Sequence, residues 1–289
     1  MRRILILVSL TALMVGAVPW TVGRVRSLRK SPPAVTVQID NQEDESNVFA
    51  GHPLILSVFL SRTAPSPALH IGGASSPWYS YIHVKTLEAG KPVVLNWTVL
   101  GKPYTLDVTT DANGHLVGGR VDTSEGAVLD GSARTYSAQF AISPEDSAKL
   151  SAGRYTARAV LKPPLWPPWN WTGAIASHEV SFTILSQPAA ADQELDRIAD
   201  SAQFYLNAGR FEDALRMAAQ LKDRAPQKTR SWILFGDALN GLGRNQDALG
   251  AYSQALELAA KANLDESPDY LLMRWHEMKE KVSQTRKSP

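Results

Sequence analysis

The chain has 289 residues, 44% of them hydrophobic and 20% charged, and no cysteine. That length accommodates two folded domains, and the lack of cysteine excludes disulfides, thiolate catalysis and cysteine-ligated zinc or iron–sulfur sites. Of the 30 Lys and Arg, six fall in residues 1–34, which hold no acid. The remainder therefore carries 24 basic against 28 acidic residues, which is not the footprint of a nucleic-acid binder.

Arg2-Arg3 precede an apolar run from Ile4 to Val18, the layout of a signal peptide, with small residues at Val15-Gly16-Ala17 for a peptidase. Pro19 to Gly23 extend the uncharged stretch to a length that spans a bilayer. Arg24, Arg26, Arg29 and Lys30 follow, and a basic cluster there favours a cytoplasmic body. Three readings stay open for residues 1–23: a cleaved signal peptide, an uncleaved anchor with the body outside, and a reverse anchor with the body inside. Each places the chain at or through a membrane, which residues 4–23 enter if they are retained. The expected location is membrane-associated or extracytoplasmic.

After a basic, proline-containing linker (residues 24–33) the period of the apolar residues changes to two. Val35, Val37 and Ile39 alternate with polar residues, as do Leu54, Leu56, Val58 and Leu60. Further strands are expected at Ile82–Val84, Pro92–Leu100, Tyr104–Val108, Thr135–Ile142, Gly153–Leu161 and His178–Leu185. Asp111-Ala-Asn113-Gly114 has the chemistry of a tight hairpin turn, since Asn-Gly accepts positive φ. Many short strands with turn signals between them predict an antiparallel β-sandwich over residues 34–187. Ser143-Pro-Glu-Asp reads as a capped helical turn. It leads to Gly153-Arg154-Tyr155-Thr-Ala-Arg158-Ala-Val, which resembles the penultimate strand of bacterial immunoglobulin-like or fibronectin-like accessory domains. That resemblance is to an architecture and carries no function.

Motifs for chemistry are absent from this half. None of the six histidines forms a zinc pair, no Gly-x-Ser-x-Gly elbow occurs, and the loop glycines Gly72-Gly73 and Gly118-Gly119 make no phosphate cradle. Asp107, Asp111 and Asn113 alternate as calcium ligands do, but Asp122 stands where an EF-hand has its glutamate, and hairpin chemistry accounts for them. No metal or cofactor is expected. Asn96-Trp-Thr98 and Asn170-Trp-Thr172 match the glycosylation acceptor pattern, with Asn96 expected in a strand. The most unusual composition is Pro163 to Trp171, where prolines stiffen a loop bearing Trp166, Trp169 and Trp171. Such indoles either fold back over the protein or offer a platform to a partner, a sugar face or a membrane interface. Ser76 to Tyr81 is a second aromatic loop.

After a linker at residues 188–192, one 34-residue pattern occurs twice. Trp232, Phe235, Gly236 and Leu239 are followed by Gly243, Ala248, Tyr252 and Ala255. Thirty-four residues earlier stand Ile198, Ser201, Ala202 and Tyr205, then Gly209, Ala214, Ala218 and Leu221, closing with Pro226. Trp232, Phe235 and Leu239 share one helical face, Gly209 and Gly243 sit where a helix stops, and Pro226 separates the units. These residues resemble the tetratricopeptide repeat (TPR), over about residues 195–228 and 229–262. Ser201-Ala202 replace its usual Leu-Gly, and Ala260 replaces its proline. Ser267-Pro268-Asp269 opens a final helix at about 268–284 that caps the last repeat, within a helical domain at 193–285. Trp232 is expected in the core.

The sequence thus predicts a multidomain β + α chain. What the TPR resemblance implies is a groove lined by the first helix of each pair, binding a peptide or partner helix. Gln203, Asn207, Asp237 and Asn240 are the candidate contacts, expected to be exposed. The function expected is a non-enzymatic adaptor. A second reading is a carbohydrate or cell-envelope ligand module using Trp166, Trp169 and Trp171, and a third is a hydrolase that no motif announces.

Overall fold

A computed structural model describes residues 35–41, 47–62, 69–71, 77–110, 116–122, 127–129, 134–162, 174–186, 191–261 and 269–285. The chain is β over its first part and helical over the rest. The expected signal or anchor at 1–23 lies outside the described residues, as do Trp166, Trp169, Trp171, Asp111, Asn113 and Asn170. Among the described residues no helix is long and apolar enough to cross a membrane.

The strands are β1 (Val35–Asn41), β2 (Asn47–Phe49), β3 (Leu54–Arg62), β4 (Leu69–Ile71), β5 (Ile82–Glu88), β6 (Lys91–Val93), β7 (Thr98–Thr110), β8 (Leu116–Asp122), β9 (Ala127–Leu129), β10 (Arg134–Ile142), β11 (Gly153–Leu161), β12 (Ile175–Ala176) and β13 (Val180–Leu185). They form two main sheets. The first runs β1-β3-β10-β7-β8, all antiparallel. The second runs β2-β13-β11-β5-β6, with β12 beside β11 and the β2–β13 pair parallel. β4 and β9 pair separately.

One face of each sheet turns to the other, as the period of two requires. Leu56, Val58, Leu60, Tyr136, Ala138 and Phe140 come from the first sheet, and Tyr155, Ala157, Ala159, Phe182 and Ile184 from the second. Trp78, on a 3-10 turn (Trp78–Tyr81), is fully enclosed in the same core. The expected strand Pro92–Leu100 is broken in two. β6 pairs with β5 in the second sheet and β7 with β10 in the first, so residues 94–97 cross between them outside any strand. Asn96 is therefore exposed on this crossing rather than in a strand. The last expected strand begins at Val180, two residues late. Strands β7 and β8 pair antiparallel, with Thr110 opposite Leu116, on either side of the expected hairpin turn.

The helices are α1 (Pro144–Ser147), α2 (Ala191–Asn207), α3 (Phe211–Arg224), α4 (Thr229–Gly241), α5 (Asn245–Lys261) and α6 (Asp269–Thr285). Ser143 caps α1 by accepting from the Asp146 N–H at 3.1 Å. α2 begins inside the expected linker. From α2 onward each helix packs on the next, and α2 also lies beside α4. Gly209 and Gly243 hold φ of +70° and +73° where α2 and α4 give way to their partners, the left-handed conformation glycine adopts without cost. A Cβ on Gly236 would stand 2.7 Å from the Tyr252 ring, so the closeness of α4 to α5 depends on its absence. Trp232 is only half-buried, its indole donating to the Pro226 carbonyl at 2.7 Å, and Leu239, Ala248, Tyr252, Leu271 and Met278 form the core instead.

The β and helical parts pack together. Ile55, Leu100 and Ala141 on the outer face of the first sheet join Ile198, Ala199, Ala202 and Phe204 of α2 in one apolar cluster. The first sheet is thereby covered on both sides. β7 bulges where it meets β10, its residues 101–103 standing against Ala138 alone, and Gly101 at φ +68° lies in the bulge, 3.9 Å from the Asn207 carbonyl when a Cβ is placed on it.

Candidate protein-docking face of the helical domain

α2 and α4 carry exposed polar side chains, among them Gln203, Asn207 and Arg230. Gln203 and Asn207 are exposed and hydrogen-bonded to each other, the Gln203 amide donating to Asn207 Oδ1 at 3.0 Å. Both lie one helical turn apart on α2, which places their amides on the same line. Arg230, at the start of α4, reaches back to Asp200 at 2.5 Å, and Asp200 also lies 3.3 Å from His52 Nε2 in the β part. Arg197 is held by Glu194 at 2.8 Å through two nitrogens and points its Nη1 at the Gly51 carbonyl, 3.5 Å away. Arg197 and Asp200 of α2 are thus occupied by contacts to the sandwich, while the Gln203 and Asn207 side chains are exposed.

Asp237 departs from the exposure expected of it. Its side chain is only 14% exposed. Tyr252 donates to Oδ1 at 2.6 Å and Tyr270 to Oδ2 at 2.9 Å, so the carboxylate joins α4 to α5 and α6. Burial raises its pKa against the pull of the two hydroxyls and of Arg274. Burial, followed by the neighbouring carboxylate, pushes the Tyr252 hydroxyl far above its usual range. Arg274 Nε stands 4.0 Å from Oδ1, beyond hydrogen-bond reach, and its charge completes the cluster. Asn240 is half-buried and accepts from Lys281 of α6 at 3.4 Å. Of the four candidate contacts, Gln203 and Asn207 are exposed and bonded to each other, while Asp237 and Asn240 fasten the last helix.

Sequence reasoning did not find Arg230, His52, Tyr270 or Arg274. The usable signal was the phase of α6. Leu271 and Met278 are buried seven residues apart, which sets Tyr270, Arg274 and Lys281 on the flank that meets α4. His52 carried no signal, since its partner lies 148 positions away in α2 and only the docking of the two parts joins them. Among the described residues no group of three or more His, Asp or Glu is placed to hold a metal ion.

No family model matches the chain, and no curated protein matches it. Solved structures give only distant likenesses. One is AvmM, which catalyses macrocyclization in alchivemycin A biosynthesis, at TM-score 0.34 and 10% identity over 57% of this chain and 98% of that one. Another is a family 123 glycoside hydrolase from Clostridium perfringens, at TM-score 0.29 and 8% identity over 55% of this chain and 29% of that one. A third is AggA, the major subunit of aggregative adherence fimbriae from Escherichia coli, at TM-score 0.25 and 13% identity over 55% of this chain and 99% of that one. Likenesses of this size carry no argument about this chain.

Proposed function

We propose that this chain is a non-enzymatic adaptor, exported or tethered at a membrane by residues 4–23, that holds a protein partner on the open face of TPR-like helices. In this reading the β part is an immunoglobulin-like sandwich, and residues 195–228 and 229–262 are two TPR units with α6 as their cap. The close Gly236–Tyr252 approach and the left-handed Gly209 and Gly243 support the repeat assignment, because they fall where that pattern calls for small or terminating residues. Two units are few for a solenoid, whose end repeats need covering. The first unit has the sandwich against α2, and the second has α6.

The observation that carries the reading is the pair Gln203 and Asn207. Their amides supply donors and acceptors suited to the backbone of an extended peptide, and they remain exposed after both ends of the helical stack are covered. A photo-crosslinking side chain placed at Gln203 or Asn207 in the full chain, in its native cells, tests it. Crosslinking to a defined protein from these two positions, and not from Gln246 on the exposed surface of α5, is expected. Equal crosslinking from all three, or none from Gln203 and Asn207, overturns it.

A further inference from the structure

The outer face of the second sheet carries a row of exposed basic side chains. Register fixes its members: Arg158 stands directly opposite Lys85, Val160 opposite His83, and Thr156 opposite Leu87. On the other side of β11, Arg154 faces Thr183 and Thr156 faces Ser181. Arg154 and Arg158 are four residues apart on one strand, hence on one face and about 13 Å apart. Lys162 continues the row just beyond the strand. His83, Lys85, Arg154, Arg158 and Lys162 are all exposed. Among the described residues one carboxylate answers them: Glu179, 3.9 Å from Arg158 and itself half-exposed.

Like charges directly opposite across two strands destabilise a sheet. The Lys85–Arg158 pair therefore opposes the stability of the fold, and local rules are broken in this way chiefly where a protein binds something. The shape of the face narrows the ligand. Its cations follow one strand, Arg154, Arg158 and Lys162 each four residues apart with Lys85 beside them, so a ligand that meets them all is extended and recognised by charge. Half-buried Thr156, Ser181 and Thr183 lie between the cations and offer hydroxyl donors. Val160 is buried and Leu87 half-buried, so among the described residues of this face no large apolar side chain stands out to enter a bilayer. None of the face residues named here is Phe, Tyr or Trp, the platforms on which single-stranded nucleic acid stacks.

We propose that this face binds a linear anionic polysaccharide lying along β11, its acidic groups paired with Arg154, Arg158 and Lys85. This is independent of the docking face on α2.

The test titrates the full chain with polygalacturonate and dextran sulfate, with neutral dextran as control, over a range of salt. Both anionic polymers bind, and dextran does not. Arg154→Ser/Arg158→Ser weakens binding by about tenfold at low salt and lowers the slope of log affinity against log salt by about two. Glu179→Gln, which frees Arg158, tightens binding. Lys85→Thr weakens binding yet raises the melting temperature, so its loss of affinity is not unfolding. The N-terminal arginines are the same in every variant. If all variants bind as the parent does, those arginines hold the polymer and the proposal fails. It fails equally if phosphatidylglycerol vesicles, polyglutamate or nucleic acid bind more tightly than the polysaccharides with the same dependence on Arg154 and Arg158.

Discussion

Arg210, in the turn between α2 and α3, donates to Glu145 of α1 across 3.0 Å, and so joins the helical part to the sandwich. Burial opposes the Glu145 charge, but hydrogen bonds from its own backbone N–H, Tyr205, Ser143 and Arg210 outweigh it and lower its pKa. A lowered carboxylate stabilises the fold above its unfolded value of 4.5, and that stability is lost as pH falls through the folded value. Both side chains are nearly half-exposed, so solvent screening limits the pair to about 0.5–1 kcal/mol. Glu145→Gln is expected to lower the melting temperature at pH 7, and the difference from the parent should vanish in melts taken well below pH 4.5.

Asp237 should behave in the opposite sense. Its pKa is raised by burial, so the folded state takes up a proton more readily than the unfolded one. Its contribution is fullest below the unfolded value of 3.8 and declines as pH rises through the folded value. Asp237→Asn should remove that decline from the stability–pH curve in the range just above 3.8. Asp237→Ala leaves two tyrosine hydroxyls without their acceptor and should cost about 2–3 kcal/mol in denaturant unfolding.

Two helical glycines separate packing from propensity. Gly236→Ala places a methyl group against the Tyr252 ring and is expected to destabilise by about 1–3 kcal/mol, despite alanine's better helix propensity. Gly250, in α5, has open space where its Cβ would stand. Gly250→Ala should therefore stabilise by about 0.5–1 kcal/mol. Chemical denaturation of the two variants side by side checks both signs.

Ser147 serves two backbone groups at once. Its hydroxyl donates to the His52 carbonyl at 2.5 Å and accepts from the Gly51 N–H at 3.0 Å, in a site sealed from water. Ser147→Ala leaves both without a partner and should cost about 1–3 kcal/mol. Gly51 and His52 are also the residues that meet Arg197 and Asp200, so amide exchange should speed up in α2 as well as in the β2–β3 turn.

The alternating runs at Leu54–Leu60, Thr135–Ile142 and Gly153–Leu161 were legible because one face of each meets the opposite sheet. The crossing at residues 94–97 was not, because β-branched and aromatic residues there look like a strand whichever sheet they leave. Covering of the first sheet on its outer side was also hidden. Ile55 and Ala141 stand between apolar neighbours and Leu100 beside one, so the alternation there does not mark a second apolar face, and only the docked helix gives the three a common purpose. Among the candidate contacts, helical phase placed Gln203 and Asn207 outward. It did not reveal that Asp237 and Asn240, on the following hairpin, are engaged by α6, since the spacing of the repeat ends before that helix starts. Arg154 and Arg158 were in view as a motif. Their neighbour Lys85 comes from a strand 73 positions before Arg158, and register alone sets them opposite one another.

The packing of α2 on the first sheet also orders synthesis. β1, β3, β10, β7 and β8 are complete by residue 142, well before α2 leaves the ribosome. Translation therefore presents a finished surface to a helix whose Ile198, Ala199 and Phe204 would otherwise lie bare. The helical part has its template made for it. Reversing the gene order of the two parts would deliver those helices first, with an apolar flank and nothing to rest on, and the expected outcome is aggregation during expression.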